Sequence, residues 1–163
     1  MAEGAPFFTG QMMARALSNN GIKTTVIADA CLYALMSRVN KVIVGTHAIM
    51  ANGGLVTHSG MQIVTMASQA HSIPVIVIAG MYKLTPLYPF DYSTYNELNS
   101  PNQVFKLREG EQQSKVKVVV PGYDYIPPEQ VSLYVTNMGG QTPSYIYRLF
   151  IENYSKEDLY EED

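Results

Sequence analysis

A run of β-branched residues, Val42-Ile43-Val44, ends at Gly45-Thr46, and a second apolar run covers residues 73–79. Between them lie a small-residue turn, Asn52-Gly53-Gly54, and a stretch over 59–71 with apolar positions at helical spacing. That order is strand, loop, helix, strand. The strands are apolar throughout rather than alternating, which marks burial on both faces and hence parallel pairing. Loops of such a sheet open on one edge, where small-molecule sites usually lie.

The flanking pattern extends the alternation. Met13, Ala16 and Leu17 predict a helix over 11–19, with Gly21 as its stop. Residues 24–28 read as a buried strand. Asp29 stands where an N-cap is wanted, before a helix over 30–38 with Leu32, Leu35 and Met36 inward. Residues 41–45 form the next strand. Beyond residue 84 the pattern breaks, and 91–113 is polar, a mobile loop or an insertion. Strands return at 116–120 and 131–136, separated by a proline-bounded turn segment over 121–128. A glycine turn over 137–141 precedes a last helix that runs to about residue 154. Thr142 suits its N-cap and Pro143 its first turn. Residues 156–163 are acidic and expected to fray. Right-handed crossovers through this order give a single α/β domain over 1–163. It is Rossmann-like and doubly wound, with a mostly parallel sheet and helices on both faces.

Composition narrows the function classes. The chain is 47% hydrophobic and 15% charged, so it can bury a core. Net charge is −3 and the arginines are scattered, which argues against direct nucleic-acid binding. No apolar run reaches membrane-spanning length. One cysteine excludes an internal disulfide and a cysteine zinc site, and a reducing compartment, cytosol or nucleus, is expected by default. Twelve tyrosines and nine methionines suit protein contacts as well as core filling.

Candidate chemistry is sparse. His47, His58 and His71 show no metal-ligand spacing, so no metal is expected. The turn at Asn52-Gly53-Gly54 either cradles an anion or needs positive φ for a tight bend. No dinucleotide fingerprint or P-loop lysine accompanies it. Residues 137–140 share that ambiguity. Cys31, at a predicted helix start, is read as a packed core cysteine rather than a thiolate nucleophile. Asp29 is assigned to capping rather than base catalysis, and Glu3 has no local partner.

Five stretches carry a resemblance: AEGAPFFTGQMMARALSNNGIKTTVIADAC, MSRVNKVIVGTHAIMANGGLVTHSGM, PVIVIAGMYKLTP, PEQVSLYVTNMGG and PSYIYRLF. They resemble the C-terminal domains of the regulatory subunits of eukaryotic translation initiation factor 2B. The endings NMGG and PSYIYRL are nearest the beta-type members. The resemblance covers nearly all of the chain except 91–113, and it implies a fragment that lacks the family's N-terminal helical domain. The family is similar to isomerases of methylthioribose 1-phosphate and ribose 1,5-bisphosphate. Where those enzymes carry Glu-Thr-Arg-Pro, this chain has Glu3-Gly4-Ala5-Pro6, with Ala5 in place of the phosphate-holding arginine. Their Gly-Ala-Asp becomes Gly45-Thr46-His47, and their Asn-Gly-Asp and Asn-Lys become Asn52-Gly53-Gly54 and Thr57-His58. Cys31 does not match their catalytic cysteine.

The resemblance therefore implies a pocket at Ala5, His47, Asn52, Gly53 and His58 without catalytic residues, cofactor or metal. It implies a regulatory and assembly role in the guanine nucleotide exchange factor for initiation factor 2. The implied partners are sister subunits, delta first, then alpha, gamma and epsilon, together with initiation factor 2 and its phosphorylated alpha subunit. The expected contact surface is Met81, Tyr82, Leu87, Tyr88, Tyr134, Asn137, Met138, Gly139, Gly140, Tyr145 and Tyr147. Two alternatives stay open: a sugar-phosphate isomerase or ligand-sensing relative, and generic nucleotide binding. The isolated chain could also pair with itself.

Overall fold

The computed structural model describes residues 2–3, 9–88, 96–104 and 117–155. In chain order the elements are β1 (Ala2–Glu3), α1 (Thr9–Asn19), β2 (Ile27–Ala28), α2 (Leu32–Met36), β3 (Val42–Gly45), β4 (Ala48–Ile49), β5 (Leu55–His58), α3 (Met61–Ala70), β6 (Val75–Ile78), β7 (Tyr123–Ile126), β8 (Leu133–Thr136), β9 (Gly139–Gln141) and α4 (Pro143–Asn153). The central sheet runs β3-β6-β8-β9, the first three strands parallel and β9 antiparallel. A parallel pair, β1-β2, and an antiparallel sheet, β4-β5-β7, complete the pairing. The mostly parallel α/β reading holds.

Register sorts the side chains. Val42 pairs with Val75, and Val44 with Val77, which pairs with Tyr134. Residues two apart share a face, so these form one layer. Ile146, Leu149 and Phe150 of α4 join the same core, with Ile49, Leu55 and Ile126 from the antiparallel sheet. A second cluster joins Leu32 and Met36 of α2 to Ala67 of α3. The i, i+4 spacing of Leu32 and Met36 puts both on one stripe. On the other face of the central sheet Ile43, Ile78 and Val135 remain 63%, 53% and 38% exposed.

Several expected elements change. The strand over 24–28 keeps only Ile27–Ala28, because β1 offers a two-residue ladder. The helix over 30–38 becomes a 3-10 turn, Asp29–Cys31, followed by the short α2. Asp29 is not its N-cap: Ala28 holds that position, and no side-chain bond caps the turn. Cys31 is exposed rather than packed, because the buried stripe of α2 runs through Leu32 and Met36. Residues 117–120 form no strand. They hold chain 96–99 instead, through Asn99 N–H to the Val120 carbonyl at 2.8 Å. The turn segment over 121–128 contains a true strand, β7, and the glycine turn over 137–141 is a hairpin whose bend is Asn137-Met138. Of the stretch 91–113, expected as a mobile loop or an insertion, residues 91–95 and 105–113 lie outside the described residues, as do the acidic residues 156–163.

Other expectations hold. Gly21 at φ 77° ends α1, with its N–H on the Ser18 carbonyl and the Ile22 N–H on that of Leu17. Thr142 is the N-cap residue of α4 and Pro143 opens it. The start of α3 is held from a distance. Asp124 Oδ2 accepts the Gly60 N–H at 2.7 Å and the Gln62 N–H at 3.0 Å. This carboxylate caps the helix from β7, the work a local N-cap side chain would do. Asp124→Ala is expected to cost about 1–2 kcal/mol, read as a lower urea midpoint with an unchanged slope.

Candidate functional site

The C-terminal ends of β3, β6 and β8 form the edge where a parallel sheet offers its loops. At β3 the chain leaves Gly45 through Thr46, whose hydroxyl donates one proton shared between the Ala48 and Val56 carbonyls, each at 2.8 Å. Thr57 donates to the Gly45 carbonyl at 3.2 Å. These two buried threonines tie the antiparallel sheet to the end of β3. Lys83 arrives from the turn after β6 and donates to the Thr46 carbonyl at 2.6 Å. At β8, the exposed Asn137 accepts the Met81 N–H at 2.9 Å. The edge is closed by bonds within the chain.

Beside it, the turn at Asn52-Gly53-Gly54 is tight. Gly53 sits at φ 82°, as the positive-φ reading of the glycines requires. Asn52 folds back, its Oδ1 accepting the Gly54 N–H at 3.0 Å while its Nδ2 donates to the Tyr125 hydroxyl at 2.7 Å. Tyr134 donates from the core to the Gly53 carbonyl at 2.7 Å. A methyl group on Gly53 would run into the Pro143 carbonyl, and one on Gly54 would stand 2.5 Å from the Tyr125 hydroxyl. The polar groups of this turn face the protein's own side chains. An anion nest needs free N–H groups pointing at a ligand; here the Gly53 N–H goes to the Met50 carbonyl and the Gly54 N–H to Asn52.

The histidines stand on another surface. His47 and His58 are exposed and both approach the Tyr123 ring, His47 tilted to it at 4.9 Å and His58 stacked with it at 6.1 Å. Register explains it: His58 pairs with Tyr123 and Val56 with Tyr125, so both tyrosines share one face of β7. His71 is elsewhere, as the C-cap of α3, edge-on to Tyr33 with its Nε2 buried and without a hydrogen-bond partner. Among the described residues no group of three or more His, Cys, Asp or Glu could hold a metal. No helix among them is long and apolar enough to cross a membrane. Of the pocket positions taken from sequence, Asn52 and Gly53 meet in one turn, His47 and His58 both reach Tyr123, and Ala5 lies outside the described residues.

The contact positions divide similarly. Tyr82 is 85% exposed and Met138 is 55% exposed, with Asn137, Gly139 and Gly140 also at the surface near β8 and β9. Leu87, Tyr88 and Tyr147 form a second exposed group along α4. Tyr88 and Tyr147 are hydrogen-bonded, and burial first, then Tyr147, raises the Tyr88 pKa. Met81 and Tyr145 are half-buried against the core. Tyr134 is a correction: it is fully buried and bonded to Gly53, so it presents no contact surface. Sequence reading missed Tyr123, Tyr125, Asp124 and Lys83. The alternation Tyr123-Asp124-Tyr125-Ile126 between Gly122 and Pro127 was the available signal for the first three.

These features define a mostly parallel α/β domain with an antiparallel sheet fastened to the end of its first central strand. Residues 1–143 match the Initiation factor 2 subunit family, and the chain belongs to that family. It is 51% identical over 90% of its length to translation initiation factor eIF2B subunit beta of Schizosaccharomyces pombe, and 47% identical over 100% to that of Dictyostelium discoideum. The chain spans 37% and 42% of those two proteins. Among solved structures, eIF2B beta from Chaetomium thermophilum aligns with TM-score 0.68 and 31% identity, covering 91% of this chain and 40% of that one. The 5-methylthioribose 1-phosphate isomerase from Pyrococcus horikoshii aligns with TM-score 0.80 at 24% identity, over 92% of this chain and 43% of that one, and so shares the fold.

Proposed function

We propose that this chain is a noncatalytic regulatory and assembly domain of a beta-type subunit of the exchange factor for translation initiation factor 2. It acts in the cytosol by pairing with sister subunits, delta first, then alpha, gamma and epsilon. Through that assembly it contributes to reading the phosphorylated alpha subunit of initiation factor 2. The observation that carries the reading is the turn at Asn52-Gly53-Gly54, whose polar groups are consumed by Tyr125, Tyr134 and the chain itself. Isomerisation of a sugar phosphate needs charge-assisted donors for the phosphate and an acid–base pair in reach. Among the described residues, no arginine or carboxylate bonds to this turn. The likeness to two curated beta subunits supports the choice of partners.

The contact surface runs from Tyr82 to Met138, with Asn137, Gly139 and Gly140 between the apolar anchors, and continues to Leu87, Tyr88 and Tyr147. Large exposed aromatic and methionine side chains are the residues that carry binding energy at interfaces. In sedimentation of the full-length chain mixed with its delta-type partner, a heteromeric species is expected. Tyr82→Asp with Met138→Asp should weaken it at least about tenfold while leaving the unfolding midpoint in place. Absence of any complex with the unmodified chain sinks the pairing. A ribose phosphate titrated in a calorimeter is expected to give no binding heat; micromolar affinity would favour the ligand-sensing reading instead.

A further inference from the structure

β3 is the outermost strand on one side of the central sheet, and among the described residues only β6 pairs with it. The Val42 N–H donates to the Pro74 carbonyl at 3.0 Å, which fixes the direction of the ladder. Alternate residues of a parallel strand send both backbone groups to the same side. Val42 and Val44 therefore bond β6, and the N–H and carbonyl of Ile43 point away from it. So does the N–H of Gly45, whose carbonyl accepts the Thr57 hydroxyl at 3.2 Å. Among the described residues no hydrogen bond takes up the outward groups of Ile43 or the Gly45 N–H. Lys41, Ile43 and Gly45 are all exposed, so this side is open at each residue with groups to bond. Proteins usually blunt such a strand with proline, a charge or a bulge. Val42-Ile43-Val44-Gly45 carries none of these, and Lys41 stands just before it. The strand at the far side of the sheet, β9, is Gly139-Gly140-Gln141 and offers no comparable apolar row.

We infer that β3 pairs antiparallel with β3 of a second copy of this chain, about a two-fold axis at Ile43. The symmetry of the ladder selects this occupant. In an antiparallel sheet a hydrogen-bonded pair is two residues that exchange both N–H···O bonds. Ile43 presents those two groups outward and, across a two-fold axis, meets itself. The same register sets Gly45 opposite Lys41 of the second copy, so each Gly45 N–H has a Lys41 carbonyl to bond. Val42 then faces Val44, and no like charges oppose each other. The two Ile43 side chains become neighbours on one face, a cross-strand pair of β-branched residues. Sliding by one residue would set Ile43 against Val42 or Val44, whose backbone groups are spent on β6, so the register is fixed. The ladder is short and buries less than a tight dimer needs. The association is therefore weak, with a Kd of about 10–100 μM.

Sedimentation equilibrium of the full chain from about 1 to 500 μM should follow a monomer–dimer equilibrium with that constant. Amide exchange at Ile43 should slow at least about tenfold from the dilute to the concentrated end. Ile43→Pro removes the outward N–H and leaves the ladder to β6 whole, since proline is tolerated on a free outer strand. Its urea midpoint should move little and its dimer should vanish. Ile43→Lys and Ile43→Glu, each alone, set like charges against each other at the axis and should weaken the dimer at least about tenfold. An equimolar mixture of the two should recover it, and this pair decides should Ile43→Pro fail to fold. A monomer at every concentration, a dimer that survives Ile43→Pro, or a mixture no tighter than its separate components would each overturn the pairing.

Discussion

Gly53→Ala is expected to destabilise this fold by about 3–5 kcal/mol, one of the two largest single effects in the chain. Two costs act together. At φ 82° an alanine is forced into the left-handed region, worth about 1–2 kcal/mol. The added methyl also meets the carbonyl of Pro143, which is backbone at the first turn of α4 and cannot rotate away. Relief requires α4 to move, and α4 buries Ile146, Leu149 and Phe150. Gly139→Ala separates the terms. Gly139 has φ 96° but nothing within 4 Å of the new methyl, so only the backbone cost applies. Urea unfolding of both variants tests the pair. Similar losses for the two would show that the approach to Pro143 is not tight.

Tyr134 should come next. It is fully buried in the layer formed by Val75, Val77 and α4. Tyr134→Ala is expected to cost about 3–5 kcal/mol, as large aromatic truncations in cores do. Tyr134→Phe keeps the ring and leaves the Gly53 carbonyl without its donor, at about 1–3 kcal/mol. The alkaline limb carries an independent signature. Burial first, then nearby Tyr125, holds the Tyr134 pKa far above its ordinary value of 10.0. The folded value exceeds the unfolded one, so this stabilisation is intact below the unfolded pKa and is lost as pH climbs above it. Tyr134→Phe should therefore flatten the fall in stability above about pH 10, followed by denaturant midpoints at successive pH values. An equally steep fall in that variant would assign the alkaline loss to other groups.

What the sequence revealed depended on the length of each signal. β3 and β6 show as unbroken runs of valine and isoleucine and β8 as an apolar stretch, and the alternation that parallel burial would erase is absent from the sequence although Ile43, Ile78 and Val135 stay exposed on one face. α3 and α4 show through their period, and α4 through Thr142-Pro143. β4 has two residues, too few for any period, and β7 hides between Gly122 and Pro127. Its partner β5 lies far back in the chain, so the pairing is a tertiary fact without a local mark. Cys31 misled for a related reason: α2 is barely more than a turn, and its stripe admits only two inward positions. Asn52-Gly53-Gly54 is legible as a turn that either cradles an anion or needs positive φ, and the φ of 82° at Gly53 fits the second. That Tyr125 and Tyr134 would close it could not be read, because they arrive from 73 and 81 residues away.

That closure bears on how the protein is made. Gly53 is finished only when β7, β8 and the first turn of α4 have all arrived, so its contacts span most of the chain. Folding slows as contacting residues lie farther apart in sequence. During synthesis the strands around Val44 and Val77 leave the ribosome long before Tyr134 and Phe150 can cover them. For that interval the nascent polypeptide carries unshielded, aggregation-prone strands, the situation in which chaperones act.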